Sequence, residues 1–363
     1  MKALVHKARL QRALGFVDRV TSRNATLPIL SNILLRTEHG RLRVSATNLE
    51  VGVSSVIGAK VDSDGQIAVP GKMLADFVRS APGENVVLEL KQNTLSAQAG
   101  SYRTTILCFD ASEYPITPKV EGGQQYIIPA AVLRQLISTT ADSIASSDSR
   151  PELAGALLRF DAGATVMAAT DIFRLAERSV PAQHTSTSTV IVPRGAIAEV
   201  GRIIGDIDGD IQVRVADNQI SFSHEEFEII SRLIDGRYPD YHKVIPERSL
   251  AKVLVRRDEL ESAAKVAALF SSSISDIKLE CDAQGLRISG KNSSKGEAQA
   301  GIAANLKGDP FDVSMNFHYF LDGLKAMQTE KVILEFTGKG SPFVMRPDAD
   351  QRESVYLIMP LRS

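Results

Sequence analysis

The feature that most constrains this chain is that it repeats itself. The stretch "LPILSNILLR" at 27–36, moved forward by 123 residues, falls on "RPELAGALLR" at 150–159. Pro28 then meets Pro151, Leu30 meets Leu153, and Leu34-Leu35-Arg36 meets Leu157-Leu158-Arg159. The same shift carries "SATN" (45–48) onto "AATD" (168–171), "AVPGK" (68–72) onto "IVPRG" (191–195) and Leu10 onto Leu133. Matches this far apart, in one register and without a gap, make the first third and the second third two copies of one unit. A weaker third copy opens at "KVLVRRDELESAAKVAAL" (252–269), which repeats the pattern of "KALVHKARLQRALGFV" (2–17). Three domains follow, 1–121, 122–247 and 248–363.

Within a unit the order strand, helix, strands occurs twice. "KALV" precedes a helix with apolar residues at Leu10, Leu14 and Val17, the 3–4 spacing of one helical face. "NILLRT" and "RLRVSAT" alternate on either side of "EHG", a hairpin signal. Six helices are predicted, over 7–20, 72–80, 129–140, 194–204, 256–268 and 316–328. With helices segregated to one side of antiparallel sheets, the fold class is α+β.

The chain as a whole carries a net charge of -1, which alone would argue against a nucleic-acid partner. The charge is not evenly spread. The six predicted helices carry +3, +1, +1, +1, 0 and 0, so everything outside them sums to -7. Repetition would gather such helices on one surface, and phosphate attraction there would be diffuse and indifferent to sequence. No helix carries a base-reading pattern of Asn and Arg.

Several chemistries find no support. "GLRISGKN" (285–292) approaches a phosphate loop but ends in Asn292 and alternates like a strand. The six histidines form no metal-binding pattern, and no metal or cofactor is expected. "GDIDGD" (205–210) lacks the glutamate of a calcium loop and is expected to be an exposed turn. No G-x-S-x-G elbow occurs, so an enzyme would need an unrecognised site. No run of about 18 apolar residues suggests a membrane span, and "MKALVHKARL" has no apolar signal core. Cys108 and Cys281 both lie in strand-like runs and are expected to be buried free thiols in a reducing, cytoplasmic setting.

The chain ends "YLIMPLRS" (356–363), which is unusually apolar for a terminus. This tail, with "TLPILSNILL" (26–35), "ATDIFRLAERSV" (169–180), "VIVPRG" (190–195) and "DGRYPDYHKVIP" (235–246), resembles the bacterial DNA sliding clamps, the β subunits of the replicative DNA polymerase III, over essentially the whole length. The resemblance implies three repeated domains of the DNA-clamp fold and a head-to-tail homodimer closing a six-domain ring. Helices would line the hole and antiparallel sheets would lie outside. It implies a non-catalytic processivity factor that encircles duplex DNA. The replicative polymerase, the clamp loader and repair proteins would dock through short linear motifs in a groove between the second and third domains.

Carried over residue by residue, that groove would use Leu153, Thr170, Arg174, Leu175, Pro239 and Val244, with Leu357, Met359, Pro360, Leu361 and Arg362 from the tail. The chain departs from its relatives at Ile172-Phe173, where Gly-His is usual, and at Lys243, where Arg is common. Two large apolar groups at the rim imply a reshaped subsite and an altered peptide preference. A diverged or accessory clamp acting as an interaction scaffold is the alternative. The same resemblance puts Leu269 and Phe270 of "ALFSSS" at the dimer interface, against Thr104 and Ile106 of the other chain. Read from sequence alone, Leu269 and Phe270 could equally be core. Lys72, Arg150, Arg194, Arg9 and Arg12 are the expected DNA contacts.

Overall fold

The computed structural model describes residues 1–21, 27–115, 119–348 and 353–361. Among them are six α-helices: α1 Lys7–Val17, α2 Gly71–Ser80, α3 Ala130–Thr140, α4 Arg194–Ile203, α5 Arg257–Ala268 and α6 Phe317–Ala326. Each lies within three residues of the span predicted from its apolar spacing. The helix α5 shows why. Leu260, Ala263, Ala264 and Ala267 form its buried stripe, Asp258 and Glu259 sit in its first turn and Lys265 in its last. These charges complement the helix dipole, and Glu261 pairs with Lys265 one turn on, at 2.5 Å. The strand Gly285–Asn292 passes so close to this helix that a Cβ on Gly290 would stand 2.0 Å from the Ala267 carbonyl oxygen. "GLRISGKN" is therefore a packed strand, with its second glycine required by the helix above it.

The chain folds as two compact units. One comprises 1–131 and 198–233 and is built on a twelve-stranded sheet with the strand Tyr102–Leu107 at one end and Gln124–Pro129 at the other. The long strand Val51–Ser63 organises it, pairing along its length with Lys2–His6, Arg41–Thr47 and Phe227–Arg232. The predicted "EHG" hairpin is present. His39 and Gly40 take φ of 48° and 72° between Glu38 and its partner Arg41, the left-handed pair that matches the twist of the strands. "GDIDGD" is an exposed turn before the strand Asp210–Val215, with Ile207 alone turned inward.

The other unit comprises 132–197 and 234–363. It holds a nine-stranded sheet and a four-stranded sheet, the latter ending on the strand Gly296–Ile302. In the larger sheet the last strand, Ser354–Ile358, is bonded on both sides, to Arg174–Pro181 and to Phe343–Pro347. Its side chains serve two cores in alternation. Tyr356 and Ile358 join the core under α5 and α6, whereas Val355 and Leu357 join a second cluster with Leu153, Leu175, Tyr238 and Tyr241.

The compact units cut across the sequence repeat. Of the second repeat, the strand Gln124–Pro129 and the strands within 210–232 are laddered into the first unit, and the strands within 155–193 into the other. Ladder hydrogen bonds follow the sheets, and the sheets run through the junctions between repeats.

No helix among the described residues is long and apolar enough to cross a membrane. Both cysteines are free. Cys281 is buried, and burial, assisted by Asp282, pushes its thiol up to about 11. Cys108 is only half-buried, contrary to expectation, because it lies just past the end of the edge strand.

Candidate functional site: an apolar groove

Within the second unit, short turns and strand ends converge on one apolar cavity of about 180 Å³. The turn Pro151–Leu153 starts with a proline whose fixed φ suits a helical first position, and it delivers a buried Leu153. The turn Tyr241–Val244 forms another wall. Its Tyr241 hydroxyl donates to the Glu177 carboxylate, and the ring stacks on His242 at 4.3 Å. Burial and the Glu177 charge raise this phenol well above its ordinary range. Tyr238 is raised likewise, first by burial, and its hydroxyl accepts the Thr170 backbone N–H at 3.1 Å.

The hairpin at 170–174 forms the rim. The Asp171 carboxylate accepts the backbone N–H of Phe173 at 3.1 Å and of Arg174 at 3.0 Å. The Thr170 hydroxyl donates to the Arg174 carbonyl at 2.6 Å and accepts the Ile172 N–H at 3.1 Å. This network holds Ile172 at φ 73°, a left-handed conformation that costs a β-branched residue about 1–2 kcal/mol. Both Ile172 and Phe173 stand 58% and 56% exposed. Ile172→Gly is accordingly expected to raise stability by about 0.5–1 kcal/mol, the relieved strain exceeding the added chain entropy. A shift of the denaturant midpoint would check this, and an unchanged or lower midpoint would refute it.

Arg174 closes the inner end of the groove at only 12% side-chain exposure. Its guanidinium meets Asp171 at 2.9 Å and Asp322 of α6 at 2.5 Å, and lies over the Tyr319 ring at 4.5 Å. Burial alone would lower its pKa, but Tyr356, Asp322 and Asp171 outweigh burial and the group stays charged. The tail completes the site. The Met359 N–H donates to the Phe173 carbonyl at 2.8 Å, and the Leu361 N–H to the Ser314 carbonyl, also at 2.8 Å.

Of the residues expected here, Leu153, Thr170, Ile172, Phe173, Arg174, Leu175, Pro239, Val244, Leu357 and Met359 line this one cavity. Lys243, Pro360 and Leu361 do not. Lys243 faces solvent, 3.2 Å from Asp240, and Leu361 is tied to Ser314, in the strand Phe311–Asn316 of the four-stranded sheet. Arg362 lies outside the described residues. Sequence reasoning missed Asp240, Tyr241 and Pro342, and assigned Arg150 elsewhere, although all four line the cavity. Asp240 and Tyr241 had a local signal, since both stand in "GRYPDY" beside Pro239.

Of the residues expected at a dimer interface, two stand in an edge strand and two in the turn that follows α5. Thr104 and Ile106 belong to the edge strand Tyr102–Leu107, but the Ile106 side chain is 4% exposed and points into the core. Leu107, 76% exposed, is the apolar side chain offered there. Leu269 is 68% exposed and thus not core, and Phe270 is half-buried beside Gly296 of the other edge strand. Among the expected DNA contacts, Arg9, Lys72, Arg150 and Arg194 are exposed and have no carboxylate partner among the described residues. Arg12 is ion-paired with Glu226.

Fold and groove together define a class: a threefold-repeated α+β chain carrying a preformed apolar groove at a junction between repeats. Family models for the N-terminal, central and C-terminal domains of the DNA polymerase III beta subunit match residues 1–118, 127–240 and 242–362. The beta sliding clamp of Pseudomonas aeruginosa is 31% identical, with each chain covered in full. The crystal structure of the P. aeruginosa DNA polymerase III subunit beta superposes with a TM-score of 0.93 at 30% identity, again with both chains fully covered. The DNA polymerase sliding clamp of Bacillus subtilis superposes at 0.94 and 25% identity, over 100% of this chain and 99% of that one. This chain belongs to the DNA polymerase III β subunit family, the bacterial sliding clamps.

Proposed function

We propose that the chain is the processivity clamp of a replicative DNA polymerase, acting in the cytoplasm as a head-to-tail homodimeric ring of six domains around duplex DNA. It performs no chemistry of its own. Its work is to keep a weakly bound polymerase near the primer end, where tethering raises the effective concentration. The edge strands Tyr102–Leu107 and Gly296–Ile302 pair across the two subunits, which removes two open sheet edges. Arg9, Lys72, Arg150 and Arg194 give a sequence-independent hold on phosphates.

The observation that carries this reading is the apolar groove in a chain that matches the clamp family from end to end. Polymerase, clamp loader and repair proteins insert short linear motifs there, an aliphatic side chain entering the cavity. Ile172 and Phe173 add apolar surface at the mouth and shift preference toward motifs with a hydrophobic residue at that point. Replacing the pair as Ile172→Gly/Phe173→His is expected to change the affinity of host motif peptides several-fold, and unchanged titrations would refute this part. The full-length match gives the scaffold alternative no support.

The decisive experiment is retention. The protein is loaded by its clamp loader onto nicked circular DNA, washed in high salt, and the circle is then cut. Retention on the circle and release on cutting is expected. Equal retention on both forms would mean ordinary binding, and the topological reading would fall.

A further inference from the structure

The groove takes up only part of what the molecule displays. A second depression, of about 690 Å³ and within the first unit, lies beside α1. Arg9 and Arg12, one turn apart on the helix, both line it, and so do Glu225 and Glu226 from the turn that follows the strand Gln219–His224. Arg9 has no carboxylate partner among the described residues, whereas Arg12 is bound to the Glu226 carboxylate through Nε. The backbone that carries this carboxylate is held in place. The Ser55 hydroxyl donates to the Glu226 carbonyl at 2.6 Å, and the Glu226 N–H donates to His224 Nδ1 at 3.4 Å. The Arg12 guanidinium also lies 5.9 Å above the Phe16 ring, and Phe16 packs on Phe227 at 5.5 Å. Arg12 is thus steered from two sides while half its side chain stays in solvent.

We infer that Glu226 is a built-in competitor for DNA phosphate at Arg12. The inference rests on the proposed function, since it supposes that α1 meets the duplex. A phosphate approaching the Arg9–Arg12 pair competes with a carboxylate that already engages the Nε edge of the Arg12 guanidinium. An exposed ion pair contributes about 0.2–1 kcal/mol, so the displacement is easily made and easily reversed. The same economy recurs on other helices. Arg79 is paired with Asp76, Arg202 with Glu199, Lys265 with Glu261 and Lys325 with Asp142. Three of these pairs lie within one helix, and only Arg12 and Lys325 are neutralised from outside their own helix. A ring that must move along DNA gains from contacts of this kind, because each phosphate it leaves is replaced at once by an internal anion.

The test is equilibrium binding of the full-length protein to a short linear duplex across a salt series, starting from low salt. Wild type is compared with Glu226→Gln, Arg12→Gln and the double variant, with thermal melting as a control for folding. Glu226→Gln is expected to bind about two- to fivefold tighter, with a salt dependence steeper by up to about 0.9 in the log–log slope. Arg12→Gln is expected to bind more weakly, and the double variant to match Arg12→Gln. If Glu226→Gln changes nothing while Arg12→Gln weakens binding, Glu226 does not compete and the inference is overturned. Tightening that survives in the double variant would be a general charge effect, which also overturns it. Loss on Lys72→Gln or Arg194→Gln with no effect at Arg12 would overturn it and leave the DNA reading standing. Indifference of all these cations would remove both.

Discussion

Leu107→Asp or Leu269→Asp is expected to convert the proposed dimer into a folded monomer. Both side chains are largely exposed in the single chain, so neither change should shift the stability of the subunit by more than about 0.5 kcal/mol. In the assembled ring each would bury an unpaired carboxylate against apolar groups, at a cost of several kcal/mol. The dissociation constant should then rise at least about 100-fold. Sedimentation would read this directly, with circular dichroism unchanged. The same variants should no longer be retained on circular DNA. A variant that stayed dimeric would place the interface elsewhere on the chain. Ile106→Val serves as the contrasting case. Its side chain belongs to the core, so it should lower subunit stability by about 0.5–1.5 kcal/mol and leave the dimer intact.

The second large effect is expected at Arg174. Removing one member of a buried ion cluster leaves the others desolvated and unpaired, which costs about 3–5 kcal/mol. Arg174→Ala should fall at the lower end, because a third of the Asp322 side chain remains in solvent. The unit holding the groove should unfold at a clearly lower denaturant concentration. Arg174→Lys should recover only part of the loss, since an ammonium cannot serve Asp171 and Asp322 with a planar fork while stacking on Tyr319. Full stability in Arg174→Ala would mean that solvent reaches the two carboxylates freely and that the cluster holds nothing together.

How much of this was legible beforehand depends on how local the cause is. The helices were, because a 3–4 apolar stripe and terminal charges act within a few residues, as α5 shows. The "EHG" hairpin was, because only a left-handed pair closes a two-residue turn between twisted strands. That Ile106 turns inward and Leu107 outward was not legible. In "TTILCF" two large apolar residues are adjacent, and a strand's period of two cannot tell which of them faces the core. The groove residues in the hairpin and the tail came through resemblance. Nothing in the local sequence says that Pro342 would reach the same cavity, since the pairing of the strand Phe343–Pro347 with the last strand brings it there. Lys243 stands outside the cavity lining while Tyr241 and Val244 enter it, because a short 3-10 turn sends neighbouring side chains in different directions. The division of the second repeat between two units was also invisible, since sequence periodicity records how a unit arose and not which strands it bonds.

The last strand, Ser354–Ile358, has a mechanical meaning. It is laddered on both flanks, and the chain just beyond it is tied to Phe173 and Ser314. A partner pulling on a peptide seated over Leu357 and Met359 would therefore load these hydrogen bonds together, in shear along the strand. It would not peel a free end open one bond at a time. An apolar terminus built in this way can act as a tow point, and the force of a moving polymerase would pass straight into the sheet.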